Sequence, residues 1–287
     1  MSENKKALIT GASSGIGQDI AKELNRLGYD IVIVARNEEK SEKLKASLNG
    51  NIEVIIMDLS DERNCIELYN KVGSLDILIN NAGFGIFGEF HKTDLNEELK
   101  LINTNIVAVH ILTKLFLKDM IEKDQGYILN VASIAGYLPG PLMSSYYASK
   151  SYVISLTNSI RAELVKNKSN VKISTLSPGP VKTNFNSVAG VKFSLNSLES
   201  EYVAKYTIKK LLKGKKDIVP GFTIKALKLI SRVLSSSFIS KFVYNNQLKK
   251  QSRKWYVDIM LIKWYNLLVK INIYFFKILK GVVEYAI

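Results

Sequence analysis

The sequence predicts an α/β protein: a doubly wound parallel sheet with helices on both faces, extended by a helical C-terminal segment. Three observations lead there. Short runs nearly continuous in Ile, Val and Leu recur along the chain, the pattern of strands buried on both faces. Stretches with a single apolar stripe at helical spacing separate them. A glycine-rich turn, Thr10-Gly11-Ala12-Ser13-Ser14-Gly15-Ile16-Gly17, joins the first run to the first helical stretch. Repeated strand–helix alternation makes a doubly wound sheet. Right-handed crossovers then bring the strand C-termini to one edge, where ligands of such sheets bind.

The expected strands are Ala7–Thr10, Asp30–Ala35, Glu53–Met57, Ile77–Asn80, Tyr127–Val131, Val171–Leu176 and Asp217–Val219. Ile16, Ile20, Leu24 and Leu27 form the stripe of the first helix. Leu101, Val109, Leu112 and Phe116 belong to a second, and Val153, Leu156, Ile160 and Leu164 to a third. Residues 184–200, rich in Asn, Ser and Gly after a strand end, fit either a lid over a site or an ordinary surface loop.

The chain has 287 residues, 47% of them apolar, enough for a sizeable core and too many for disorder. We expect one domain over residues 1–250 and an extension over 251–287. One cysteine, Cys65, lies in a helical stretch, so no intrachain disulfide forms, as suits a reducing cytoplasm. The polar start, Met1 to Lys6, leads straight into a strand and has no secretory signal pattern. No run of 18 uncharged apolar residues predicts a spanning helix. His91 and His110 stand alone, without metal-ligand spacing.

Net charge is +14, yet residues 222–287 hold 12 Lys and Arg against Asp258 and Glu284. The basic character thus belongs to the C-terminal segment, and a nucleic-acid partner does not follow from it. In that segment Trp264, Leu267, Leu268, Ile271, Phe275 and Ile278 share one helical face, while Lys263, Lys270 and Lys277 recur every seven residues on another side. Trp255, Tyr256, Tyr265 and Tyr274 add interfacial aromatics. Peripheral contact with an anionic membrane and packing on a protein surface both fit this pattern.

Chemistry enters at the glycine turn. Gly11, Gly15 and Gly17 let the backbone turn tightly, and the helix start supplies free N–H groups to a pyrophosphate. The second strand ends in Val34-Ala35-Arg36-Asn37, with no acid to hold a ribose 2′-hydroxyl. Arg36 can pair there with a 2′-phosphate, which favours NADP(H). Asp58, before Leu59, can accept from an adenine amino group or cap the next helix. In Asn80-Asn81-Ala82-Gly83 the amides can satisfy backbone groups of neighbouring strands, and Gly83 leaves room for the cofactor.

Tyr146 and Lys150 in Tyr-Tyr-Ala-Ser-Lys stand at i, i+4 and leave one helix face. A phenol near pKa ~10 exchanges protons poorly at neutrality, and a neighbouring Lys⁺ favours the phenolate. Tyr147 points about 100° further round the helix and cannot share that lysine in the same way. Ser133, at the end of the fifth strand, can hold a substrate oxygen near the phenol. Asn105 sits on the preceding long helix, where it can bind a water that passes protons to Lys150.

With these motifs the chain resembles the short-chain dehydrogenase/reductase family, in its main Rossmann-type group. Thr10–Gly17, Asn80–Gly83, Asn105, Ser133, Tyr146/Lys150 and Ser177-Pro178-Gly179 carry the resemblance, over about residues 5–222. It implies that Tyr146 is the general acid/base, that Ser133 assists, and that Asn105 completes a proton relay. It also implies that Lys150 holds the nicotinamide ribose, that Thr183 contacts the carboxamide, and that Val181 lies along the same cofactor-binding stretch as Pro178 and Gly179. A homodimer or homotetramer is implied as well. The expected reaction interconverts a ketone and a secondary alcohol. Phe84, Ile86, Phe87, Ile134, Leu138, Met143 and Phe185 favour an apolar ketone, 3-oxoester or 3-oxoacyl compound over a sugar. Two other readings are a catalytically silent NADP(H)-binding regulator or scaffold and a membrane-surface reductase of lipid metabolism. The expected location is the cytoplasm, with the extension able to reach the inner membrane face.

Overall fold

The structure, a computed structural model, describes residues 5–183, 185, 197–231 and 233–251. The expected tail face over residues 252–287 and most of the segment 184–196 lie outside the described residues.

Seven parallel strands form one sheet in the order β3-β2-β1-β4-β5-β6-β9. They are β1 (Lys6–Thr10), β2 (Asp30–Ala35), β3 (Ile52–Ile56), β4 (Ile77–Asn80), β5 (Tyr127–Val131), β6 (Lys172–Leu176) and β9 (Asp217–Ile218). The two-residue strands β7 (Val181–Lys182) and β8 (Leu198–Glu199) pair with each other outside it. Strand order reverses between β1 and β4, which lie side by side with Ile9 opposite Ile79. That switch point opens a crevice at the strand C-termini.

The pleat explains the continuous apolar runs. Ala7 and Ile9 of β1, and Ile31 and Ile33 of β2, enter one core; Leu8, Val32 and Val34 enter the other. The first core is covered by α1 (Gly15–Arg26) and the helix Ser200–Leu211 through Ile20, Leu24, Val203 and Ile208. The second is covered by α3 (Glu62–Val72) and α5 (Ala108–Glu122) through Leu68, Leu112 and Phe116. Each fully buried Ile or Leu stabilises the fold by about 1.5–3 kcal/mol.

The remaining helices are α2 (Glu38–Ala46), α4 (Leu95–Ile102), α6 (Ser144–Lys166), α7 (Ser200–Leu211), α8 (Phe222–Ile230) and α9 (Ser236–Gln251). Helix continues from α4 into α5 through a π-turn, Asn103–Val107. An 18-residue window within Leu95–Glu122 is apolar enough to cross a membrane by composition. Leu101, Val109, Leu112, Phe116 and Met120 are nevertheless buried in the core, as in a core helix of a globular protein. Cys65 is fully buried in α3, and burial pushes its thiol up to about 12, which makes it inert.

Candidate active site

A cavity of about 560 Å³ lies at the strand C-termini. All the site residues expected from the sequence line it except Gly17 and Asn105. The glycine turn is its floor. Gly11 has φ +64, and a Cβ there would stand 2.9 Å from Ala82 Cα, so only glycine lets β1 and β4 approach so closely. Asn81 locks the contact: its Nδ2 donates to Thr10 O at 3.0 Å and Gly11 O at 3.1 Å. Thr10 Oγ1 accepts from Asn81 N and Ala82 N. The expected backbone role thus falls to Asn81. Asn80 turns the other way and donates to Thr113 Oγ1 and Asn130 Oδ1, within the buried centre of the sheet.

The start of α1 fits a bound phosphate. Its N-cap, Ser14, makes no side-chain cap hydrogen bond, and no acid stands in its first turn. By contrast α2, α3 and α4 are capped by Asn37, Asp61 and Asp94, each with acids in the first turn. The free N–H groups and positive helix end of α1 therefore face the cavity without a competing anion. Ser13, Ser14 and Ile16 lie at this end, with Thr183 packed on Gly15.

Arg36 follows β2, exposed, with its guanidinium 3.8 Å from Asp58 Oδ2. Asp58 corrects one expectation: it caps no helix, because Asp61 caps α3. Its Oδ1 instead accepts from Ser60 N at 2.9 Å and closes a turn. Leu59 is buried behind it.

At the other end, Ser133 caps the short 3₁₀ helix Ile134–Tyr137, its Oγ accepting from Ala135 N at 3.1 Å. The Ser133 hydroxyl and the Tyr146 phenol line the same cavity. Lys150 Nζ lies 5.8 Å from the centre of the Tyr146 ring and donates to Val131 O at 2.9 Å. Burial pushes Tyr146 up to about 12, against the opposing pull of the Ser133 hydroxyl. The same burial brings Lys150 down to about 8. The expected lowering of the phenol by Lys150 does not figure among the effects acting on Tyr146, where desolvation dominates.

Asn105 stands behind the wall, within the π-turn and fully buried. Its Oδ1 accepts from Phe84 N at 3.1 Å, and its Nδ2 donates to Phe84 O at 2.9 Å and Ser149 Oγ at 3.1 Å. Its amide fixes the chain after β4. Pro178 O accepts from Ile134 N, which ties the loop after β6 to Ser133. Gly179 packs directly under Ile224 of α8. Val181 is buried in β7.

Of the expected apolar residues, Phe84, Ile134, Met143 and Phe185 line the cavity, whereas Ile86, Phe87 and Leu138 do not. Phe87 packs behind, against Met143. Tyr147 and Gln247 also line the cavity. Tyr147 is read from the sequence only as turned about 100° from Tyr146, and Gln247 of α9 carries no local signal. No motif links them, because they lie 100 residues apart.

A family model for the short chain dehydrogenases matches residues 5–191. The chain belongs to the short-chain dehydrogenase/reductase family, whose members are oxidoreductases. It is 35% identical over 180 residues to the 3-oxoacyl-[acyl-carrier-protein] reductase FabG of Rickettsia prowazekii, covering 63% of this chain and 74% of that one. It is 28% identical over 272 residues to dehydrogenase/reductase SDR family member 7B of Mus musculus, covering 88% and 84%. Among solved structures, a family member from Burkholderia phymatum in complex with NAD aligns with TM-score 0.71 at 25% identity, covering 79% and 92%. A short-chain dehydrogenase from Sphingobium yanoikuyae in complex with NADPH shares the fold, with TM-score 0.72 at 23% identity over 88% and 99%. Such folds hold either nicotinamide cofactor, so the choice between them rests on residues of this chain.

Proposed function

We propose that this short-chain dehydrogenase/reductase is an NADPH-dependent reductase that interconverts a ketone and a secondary alcohol, acting on an apolar ketone or 3-oxoacyl-type compound. The observation that carries the reading is the convergence of Tyr146, Ser133 and Lys150 on the cavity that also holds the uncapped start of α1.

A bound nicotinamide cofactor would supply the hydride. Main-chain N–H groups of Ser13–Ile16 would hold its pyrophosphate, and Arg36 its 2′-phosphate. Lys40 and Lys43 of α2 border a neighbouring recess shared with Ser13 and Ser14, so the surroundings there are cationic. That supports the phosphorylated cofactor. Lys150 would hold the ribose and Thr183 the carboxamide, roles assigned by likeness to the family.

Ser133 donates a hydrogen bond to the substrate oxygen and places it beside Tyr146. Tyr146, kept protonated by its burial, donates its proton to the oxygen of the carbonyl being reduced. At pH 7 Lys150 lies below its value of about 8 and is mostly cationic, so it stabilises the phenolate left behind. Phe84, Ile134, Met143 and Phe185 give the substrate end its apolar character. Reduction of a panel of ketones, 3-oxoesters and sugars with NADPH and with NADH tests the reading. Turnover of apolar ketones with NADPH supports it, and turnover confined to sugars or to NADH refutes it.

A further inference from the structure

Helix α9 reaches the cavity with one polar side chain. Gln247 is 1% exposed and lines the cavity. Its Nε2 donates to Tyr147 Oη at 3.1 Å. Around the pair the wall is apolar: Phe87, Tyr146, Tyr147 and Phe185 pack about Met143. Tyr147 covers Gly140 so closely that a Cβ there would strike the ring, which fixes the ring in place.

A phenol has one proton to give. The Tyr147 oxygen accepts from the Gln247 amide, which turns its own O–H elsewhere. Among the described residues no acceptor takes that proton. Burial pushes this phenol up to about 12, so it remains a donor at working pH. Its ring centre lies 6.1 Å from that of Tyr146, with the planes at 78°. A donor fixed in an apolar wall, one ring's spacing from the acid, is completed by an acceptor on a ligand.

We propose that Tyr147, oriented by Gln247, is a specificity-determining donor to a second oxygen of the substrate, so that preferred ketones carry a further carbonyl close to the reacting one, as a 3-oxoester does. The inference rests on the reductase reading and refines its substrate class. Tyr147 touches the substrate; Gln247 is a positioning residue that acts through it.

The test is the ratio of kcat/KM for a 3-oxoester to that for a monoketone of equal chain length, measured with NADPH. Tyr147→Phe lowers this ratio about tenfold, chiefly through KM for the 3-oxoester. Gln247→Glu keeps a hydrogen bond to Tyr147 but draws its proton toward α9. A purely structural link would therefore preserve the ratio in that variant, whereas a substrate donor loses it. NADPH binding by nucleotide fluorescence shows that each variant is folded; if Gln247→Glu fails there, Tyr147→Phe alone decides. An unchanged ratio in Tyr147→Phe overturns the inference and leaves the reductase reading standing. Absence of turnover on both ketones by the unaltered enzyme overturns the reductase reading, and the inference with it.

Discussion

Asn105 and Lys150 meet behind Gly83: a Cβ at that glycine would stand 2.9 Å from Asn105 Oδ1 and 3.3 Å from Lys150 Nζ. The chain leaving β4 thus abuts, on one side of Gly83, both the amide that fixes it and the ammonium beside Tyr146. The π-turn at Asn103–Val107 sets Asn105 within this buried contact.

Gly83→Ala therefore forces either Asn105 or Lys150 to move. Both are buried, so neither yields easily. Overpacking of this kind costs about 1–3 kcal/mol. The variant is expected to melt at lower temperature and to lose at least about tenfold in kcat/KM. A variant with unchanged melting and kinetics would show that the contact is slack.

The cofactor preference has its own test. In Ala35→Asp with Arg36→Ala, a carboxylate replaces the guanidinium at the end of β2. A charge-assisted hydrogen bond is worth about 1.5–3 kcal/mol, so NADPH affinity falls at least about tenfold while NADH affinity rises. Titration of both nucleotides measures it. An unaltered enzyme that binds NADH more tightly would contradict the assignment of Arg36.

Lys150 links the site to stability. Burial holds it at about 8, below its ordinary 10.5. At low pH the folded chain must keep a buried cation that the unfolded chain keeps in water. Between those two values the folded state has lost the proton while the unfolded state retains it, so this group's contribution to stability rises with pH. The gap corresponds to about 3 kcal/mol. Urea denaturation without cofactor should show the stability of the unaltered protein, relative to Lys150→Met, rising by up to that amount from neutral pH to about pH 10. Parallel curves would mean that Lys150 is not desolvated.

Much of this fold is legible in the sequence, because a strand buried on both faces leaves an unmistakable run. Ala7–Thr10 was expected where Lys6–Thr10 is found, and Asp217–Val219 where Asp217–Ile218 is found. The two-residue strands β7 and β8 are too short to leave a pattern. The cluster of Ser133, Tyr146 and Lys150 was readable because two of its members share one helix face. The balance of its electrostatics was not, since desolvation depends on what is packed around a side chain and not on its spacing. Gln247 was illegible for a related reason: its partner lies on a helix that only tertiary packing brings near.

The central claim is that Tyr146 gives a proton to a carbonyl oxygen during NADPH-dependent reduction. NADPH consumption in the presence of an apolar ketone, compared between the unaltered enzyme and Tyr146→Phe, tests it most directly. We expect steady turnover by the former, and in the variant a loss of at least about 100-fold with NADPH affinity retained, because only the hydroxyl is removed. Comparable turnover by Tyr146→Phe, or none by the unaltered enzyme across the ketone panel, would contradict the account.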